Sequence, residues 1–334
     1  MQPVTVVTGG TGFIGAHLID ELTQRGVRVR VLARGRAPIL ETHKDRLEVA
    51  WGDIRDRDAV FRALRNAEVV YHLAGYAKAW ARRASKFHAI NAEGTANVCD
   101  AAKRNGVGRI VHMSTALLAP PEEPDLTVDY ERTTYQRSKA QAERIVSDYV
   151  DGGGSAVIVR ASRTYGPGPL NQSNSITRLI DLYSRGLFRF RIHDRNARAN
   201  YVHVRDVVAG LIAAAGRGAD GAAYVLGGEN RTMPQVLDDI TSVTGRRYKV
   251  LALSRGASKS VALGCELAAL LGFEPLITRD WVDLLCVDWP VSSNGARSEL
   301  GYEPRSWVEG VKDTLSWLEA GRPSLVGMGP GTRP

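Results

Sequence analysis

The chain has 334 residues, 44% hydrophobic and 24% charged, with 44 Lys and Arg against 36 Asp and Glu and a net charge of +8. That is ordinary for a globular protein long enough to bury one large domain, or a large and a small one. Three scattered cysteines, Cys99, Cys265 and Cys286, indicate neither a disulfide framework nor a zinc site and fit a reducing cytoplasm; the dispersed basic residues lack interleaved aromatics, so a phosphate-bearing cofactor is a more economical partner than nucleic acid.

In chain order, the run Val4 to Val7 reads as a strand, and its early start leaves no room for a signal peptide of roughly 15 to 30 residues. TGGTGFIG follows from Thr8. Gly9, Gly12 and Gly15 are spaced for a sharp turn, close approach of bare backbone to a pyrophosphate, and tight packing of a helix that runs through Ala16 to Thr23. That helix aims its N-terminal N–H groups at the phosphates. The next strand, Val27 to Leu32, leads to Ala33 where an NAD site usually carries an acid. Arg34 and Arg36 follow and suit a 2′-phosphate, so NADP(H) is favoured, with NAD(H) possible.

Further strands are expected at Leu47 to Ala50, Val69 to Leu73, Arg109 to Met113 and Ala156 to Arg160, with a helix at Ala92 to Asn105. This alternation predicts an α/β fold of the Rossmann type, with a doubly wound parallel sheet. His72 and His112 sit inside apolar strand patterns and read as core. Ser114 and Thr115 fall at the carboxyl edge, where such sheets bind ligands. Tyr135 and Lys139 lie four apart in a helical segment, Tyr135 to Val150, and share a face. An ammonium beside a phenol is expected to draw its pKa from about 10 toward neutrality, making a general acid and base.

Beyond Tyr165 the pattern changes to helices near Ser175 to Ser184, Met233 to Thr244 and Ala257 to Leu271, with strands near Tyr224 to Leu226 and Lys249 to Leu253. The expected division is 1–165 with 200–220 as the cofactor domain, 166–199 and 221–321 as a smaller C-terminal α/β substrate lobe, and 322–334 as a flexible tail. The longest apolar stretch, Val261 to Phe273, is interrupted by Glu266 and shorter than the roughly 20 residues of a membrane span.

TGGTGFIG at Thr8, GDIRD at Gly52, HLAG at His72, NAEGT at Asn91, Thr115, YQRSK at Tyr135, YGPG at Tyr165 and YVHVRDV at Tyr201 occur in an order that resembles the extended short-chain dehydrogenases/reductases. The resemblance implies hydride transfer between a nicotinamide and a secondary alcohol or ketone, catalysed by Thr115, Tyr135 and Lys139. Tyr130 is excluded because Thr134 supplies no cation. It implies further that Thr11, Phe13 and Ile14 join the three glycines around the cofactor, that Asp53 and Ile54 contact the adenine, and that Leu73, Ala74 and Gly75 line the nicotinamide ribose. Asn91 either touches the cofactor or caps a helix. No metal is implied.

Within that family the C-terminal runs PLITRD, DWPVSSNGARSELGY and PRSWVEG resemble the branch of 3β-hydroxysteroid dehydrogenases and dihydroflavonol-4-reductases, which implies an apolar sterol-, flavonoid- or polyketide-like substrate. Tyr76 and Trp80 would line its pocket, with Arg163 beside them; Arg178, Arg189, Arg191 and Arg195 either serve an acidic substrate or form a solvated face. The rival is a nucleotide-sugar epimerase or dehydratase. Against it stand Ala199, where such enzymes carry a pyrophosphate-binding arginine, although Arg198 is adjacent, and Arg163, where many carry Asn. A non-catalytic NADP-sensing protein is a third reading. A homodimer through the Tyr135 helix and its neighbour follows from the resemblance.

Overall fold

Short β-branched segments set the centre of the molecule. In this computed structural model, which describes residues 3–78, 83–121, 133–192, 197–270, 275 and 277–321, they form strands buried on both faces. Val4–Thr8 (β1) turns into Phe13–Gln24 (α1); Val29–Ala33 (β2), Pro38–Thr42 (α2), Leu47–Trp51 (β3), Arg57–Ala63 (α3) and Ala67–His72 (β4) follow. A continuous helical run then comprises Ser85–His88 (α4), a π turn at Ala89–Glu93, and Gly94–Asn105 (α5). Arg109–Thr115 (β5), Thr134–Asp151 (α6) and Ala156–Ala161 (β6) complete the alternation. Trp80, Tyr130, Arg195 and the expected tail 322–334 lie outside the described residues.

The C-terminal part consists of Arg163–Tyr165 (β7), Ser175–Ser184 (α7), Phe190–Ile192 (β8), Arg198–His203 (β9), Val204–Arg217 (α8), Ala223–Leu226 (β10), Glu229–Thr232 (β11), Met233–Thr244 (α9), Leu251–Leu253 (β12), Arg255–Leu270 (α10), Arg279–Leu285 (α11), Asn294–Leu300 (α12) and Trp307–Glu319 (α13). The main sheet runs β3-β2-β1-β4-β5-β6-β10, all parallel. The strand order reverses between β1 and β4, so a crevice opens beyond their carboxyl ends. The fold class read from the sequence is the one observed.

One boundary is corrected. The sequence pattern assigns the stretch from 221 onward to the smaller lobe, yet β10 pairs with β6, Ala223 opposite Ile158, as the seventh strand of the main sheet. Its Tyr224 and Leu226 enter the same core as Leu300 and Tyr302, and Gly210 of α8 makes room for Leu226, whose Cδ1 lies 2.4 Å from where a Cβ would stand. The second core gathers Tyr165, Ile180, Tyr201, Ile240, Trp307 and Val311 around the small sheet β7-β9-β11. Among the described residues no helix is long and apolar enough to cross a membrane.

Candidate active site

The turn after β1 is glycine for steric reasons. Gly9 has φ +71, and a Cβ there would lie 2.6 Å from the Leu73 and Ala74 backbone; at Gly15 it would lie 2.3 Å from the Gly9 carbonyl oxygen. Thr11 and Gly12 are exposed at the mouth of the crevice. Helix α1 starts after Gly12 without a capping side chain and without an acid in its first turn, an arrangement that receives an anion on backbone N–H groups. These features fit a dinucleotide pyrophosphate. Phe13, in contrast, turns its ring into the protein, edge-on to His17 at 5.7 Å and against Gly168, while Ile14 packs on the main core.

At the far end of the crevice, Asp53 accepts from Arg55 Nε and Nη2, both at 2.9 Å, and this pairing holds its carboxyl down at about 2. Arg34 lies 3.9 Å from Asp53 with a side chain 70% exposed, and Arg36 is also exposed. Ile54 is buried in the core beneath Gly94 of α5, where its side chain packs the fold.

The chemistry converges at the carboxyl end of β5. A capping box between Thr133 and Gln136 starts α6, and Gln136 Nε2 donates to the Leu117 carbonyl at 3.3 Å, which ties the helix to the turn after Thr115. The Tyr135 phenol and the Thr115 hydroxyl interact through their side chains. Thr115 Oγ1 also accepts from Leu117 N–H at 3.3 Å, which fixes the hydroxyl at the start of the turn. Lys139, 5% exposed, donates to the Met113 carbonyl at 2.6 Å and lies 3.4 Å from His112 Nε2.

The expected direction of the tyrosine's titration is corrected by this geometry. Burial pushes the Tyr135 phenol up to about 12, opposed by the Thr115 hydroxyl, and Lys139 does not lower it. The ammonium is committed to β5, and its own burial brings it down to about 8, with Glu143 opposing. Glu143 is in turn gripped by Arg160 Nε and Nη2 at 3.0 and 2.7 Å, anchoring α6 to β6.

Asn91 does not cap a helix. It sits in the π turn, where its Oδ1 accepts from Tyr76 N–H at 2.6 Å and its Nδ2 donates to Ser138 Oγ at 2.8 Å; Ser138 donates to the Tyr135 carbonyl at 2.7 Å. Its amide joins the Leu73–Tyr76 segment to α6. Beside it the Tyr76 ring meets Phe87 edge-on at 5.0 Å, and Phe87 meets Tyr135 at 6.4 Å. The chain of aromatics therefore includes Phe87, a residue that the sequence pattern did not single out. Arg163, on β7, lies with its guanidinium 5.9 Å from the Tyr201 ring. Arg198 is bound by Asp288, with Nη2 at 2.7 Å and its backbone N–H at 2.6 Å, while Ala199 is buried. Among the described residues no cluster of His, Cys, Asp or Glu could hold a metal ion.

Residues 5–227 match the model of the NAD dependent epimerase/dehydratase family. The chain belongs to this family. It is 29% identical over 324 residues to sterol demethylase protein B of Methylococcus capsulatus, covering 94% of this chain and 98% of that protein. It is 30% identical over 322 residues to a 3 beta-hydroxysteroid dehydrogenase/Delta 5-->4-isomerase of Mycobacterium tuberculosis, covering 90% and 85%. The Thermus thermophilus UDP-glucose 4-epimerase in complex with NAD superposes with a TM-score of 0.74 at 23% identity, covering 95% and 99%, a likeness of fold alone. As an extended short-chain dehydrogenase/reductase, the chain is a nicotinamide-dependent oxidoreductase acting on CH–OH and carbonyl groups.

Proposed function

We propose that the protein is an NADP(H)-dependent reductase of an apolar ketone of sterol, flavonoid or polyketide type. The observation that carries this reading is the Thr115–Tyr135 hydroxyl pair, with Lys139 one helical turn on, at the carboxyl edge of the sheet. Bound in the crevice, the nicotinamide supplies the hydride. Tyr135, whose phenol titrates well above neutral pH, gives its proton to the oxygen that becomes alkoxide. Thr115 holds that oxygen, and Lys139 stabilises the phenolate left on Tyr135 until solvent returns the proton. A phenol that starts protonated is in the form that reduction requires.

The names of the two sequence relatives favour an apolar ring system. The pairing of Arg198 with Asp288 removes the neighbouring cation that a nucleotide-sugar pyrophosphate would use. Arg34, left exposed because Arg55 takes Asp53, is assigned to the adenosine 2′-phosphate. Tyr76 is assigned to the apolar wall and Arg163 to its rim, while Trp80 lies outside the described residues. A cytoplasmic homodimer through α5 and α6 belongs to the same reading and is checked by gel filtration.

The test is a screen of the purified protein with NADPH and NADH against apolar ketones and against nucleotide sugars, following reduced-nicotinamide absorbance. Net oxidation of NADPH by a ketone is expected, lost in Tyr135→Phe with cofactor binding retained and shifted toward NADH in Arg34→Ala. Sugar interconversion without net cofactor change would establish the epimerase instead, and cofactor binding without turnover of either class would establish the sensor.

A further inference from the structure

Two buried histidines stand side by side on β4 and β5, His72 opposite His112, with ring centroids 5.2 Å apart. Their hydrogen bonding separates them. Thr95 donates its hydroxyl to the Asn91 carbonyl at 2.6 Å, so it accepts from His72 Nε2–H at 3.0 Å. His72 Nδ1 then accepts the Thr8 hydroxyl at 2.8 Å, and Thr8 Oγ1 accepts from Ala74 N–H at 3.2 Å. Both ring nitrogens of His72 are satisfied, and its role is complete as a brace between the glycine turn, the Leu73–Ala74 segment and α5.

His112 is different. It is fully buried, its Nδ1 has no partner among the described residues, and its Nε2 lies 3.4 Å from the Lys139 ammonium. Only the tautomer with the proton on Nδ1 offers Nε2 as an acceptor to that ammonium, and this tautomer leaves a buried N–H unbonded. An apolar strand residue would avoid that cost. The orphaned Nδ1 therefore marks a side chain whose other nitrogen is needed where it is.

We propose that His112 is a positioning residue for Lys139, its Nε2 and the Met113 carbonyl together holding two of the three ammonium protons so that the third is presented to the crevice. The proposal rests on the assignment of Lys139 to the cofactor and Tyr135. The ammonium's surroundings are otherwise Glu143, one turn along α6 and paired to Arg160 of β6, and His72 on β4. None of these takes the place of an acceptor on β5. Burial, the Lys139 charge and the His72 ring keep the His112 imidazole far below its ordinary range, so its lone pair persists at working pH.

The experiment compares the wild type, His112→Phe and His112→Gln as full-length proteins, titrating each with NADPH by fluorescence from pH 6 to 10, with unfolding temperature recorded alongside. Gln returns an acceptor near the Nε2 position; Phe fills the strand without one. In His112→Phe the NADPH dissociation constant rises about tenfold or more, because the ammonium is no longer aimed at the crevice, and the pH at which affinity declines moves lower because the ammonium has lost an acceptor. His112→Gln recovers most of both. If His112→Phe retains the wild-type affinity and pH midpoint, or if Gln behaves as Phe does, His112 is packing alone and the proposal is wrong. Failure of the wild type to bind NADPH, or indifference of its binding to Lys139→Met, would strike the cofactor assignment instead, so the two failures are distinguishable.

Discussion

Replacing Lys139 by Met should abolish turnover and yet make the fold more stable at neutral pH. Burial lowers the Lys139 pKa from 10.5 to about 8, and at about 1.4 kcal/mol for each pKa unit the buried charge destabilises the folded chain by about 3 kcal/mol. The folded value lies below the unfolded one, so between about pH 8 and 10.5 the unfolded chain binds more protons and wild-type stability rises with pH; below about pH 8 the whole cost is present. Met keeps the stem and removes the charge, but it leaves the Met113 carbonyl and His112 Nε2 without a donor, an offset of about 1 to 2 kcal/mol. The expected net gain is roughly 1 to 2 kcal/mol at pH 7, vanishing or reversing by pH 10. Urea unfolding of both proteins at the two pH values measures it, and the titration of every other group cancels in the difference. A variant less stable than wild type at pH 7, or a wild-type-minus-variant difference that does not change with pH, would refute the reasoning. Loss of turnover alone would not support it, since any damage to the site gives that result.

Two further outcomes follow from the same structure. Burial lowers His17 to about 4 and His72 to about 3 from an ordinary 6.5, so both cost the fold nothing above that pH and each removes about 2 kcal/mol by pH 5, before carboxylates such as Asp53 begin to protonate. Urea unfolding at pH 7.5 and 5.0 should differ by at least about 4 kcal/mol, and a difference under about 1 kcal/mol would show that these rings are protonated inside the fold. Gly15→Ala drives a Cβ to 2.3 Å from the Gly9 carbonyl oxygen, which should destabilise by about 1 to 3 kcal/mol and weaken NADPH binding at least about tenfold. An unchanged melting temperature with an unchanged cofactor titration would mean that the turn can open at no cost.

The parts legible in the sequence are those specified by short-range pattern. The strands β1, β2, β4, β5 and β6 announce themselves by β-branched runs, and α1 and α6 by a glycine turn and an apolar stripe, so the parallel sheet and its crevice follow from local rules. What escaped was pairing across long separations. β10 is four residues long, and nothing in Ala-Tyr-Val-Leu says that its partner is β6 and not a strand of the smaller lobe. The grip of Asp288 on Arg198 spans 90 residues, and the Asn91 bond to Ser138 spans 47. A cap at Asn91 does not form because a capping preference assumes a helix start, whereas α4, the π turn and α5 run on without one.

The tyrosine and lysine illustrate the deeper reason. Their spacing fixes that they share a helix face, and that alone favours a phenolate. Burial acts on both groups at once and in the opposite sense, raising the acid that would become charged and lowering the base that already is. Which effect prevails depends on where the ammonium points, and that is decided by a carbonyl and an imidazole on β5, 26 and 27 residues upstream. A helix pair read by itself contains no information about its acceptors. Held on β5, the ammonium leaves the phenol protonated, the form in which it would donate to a ketone.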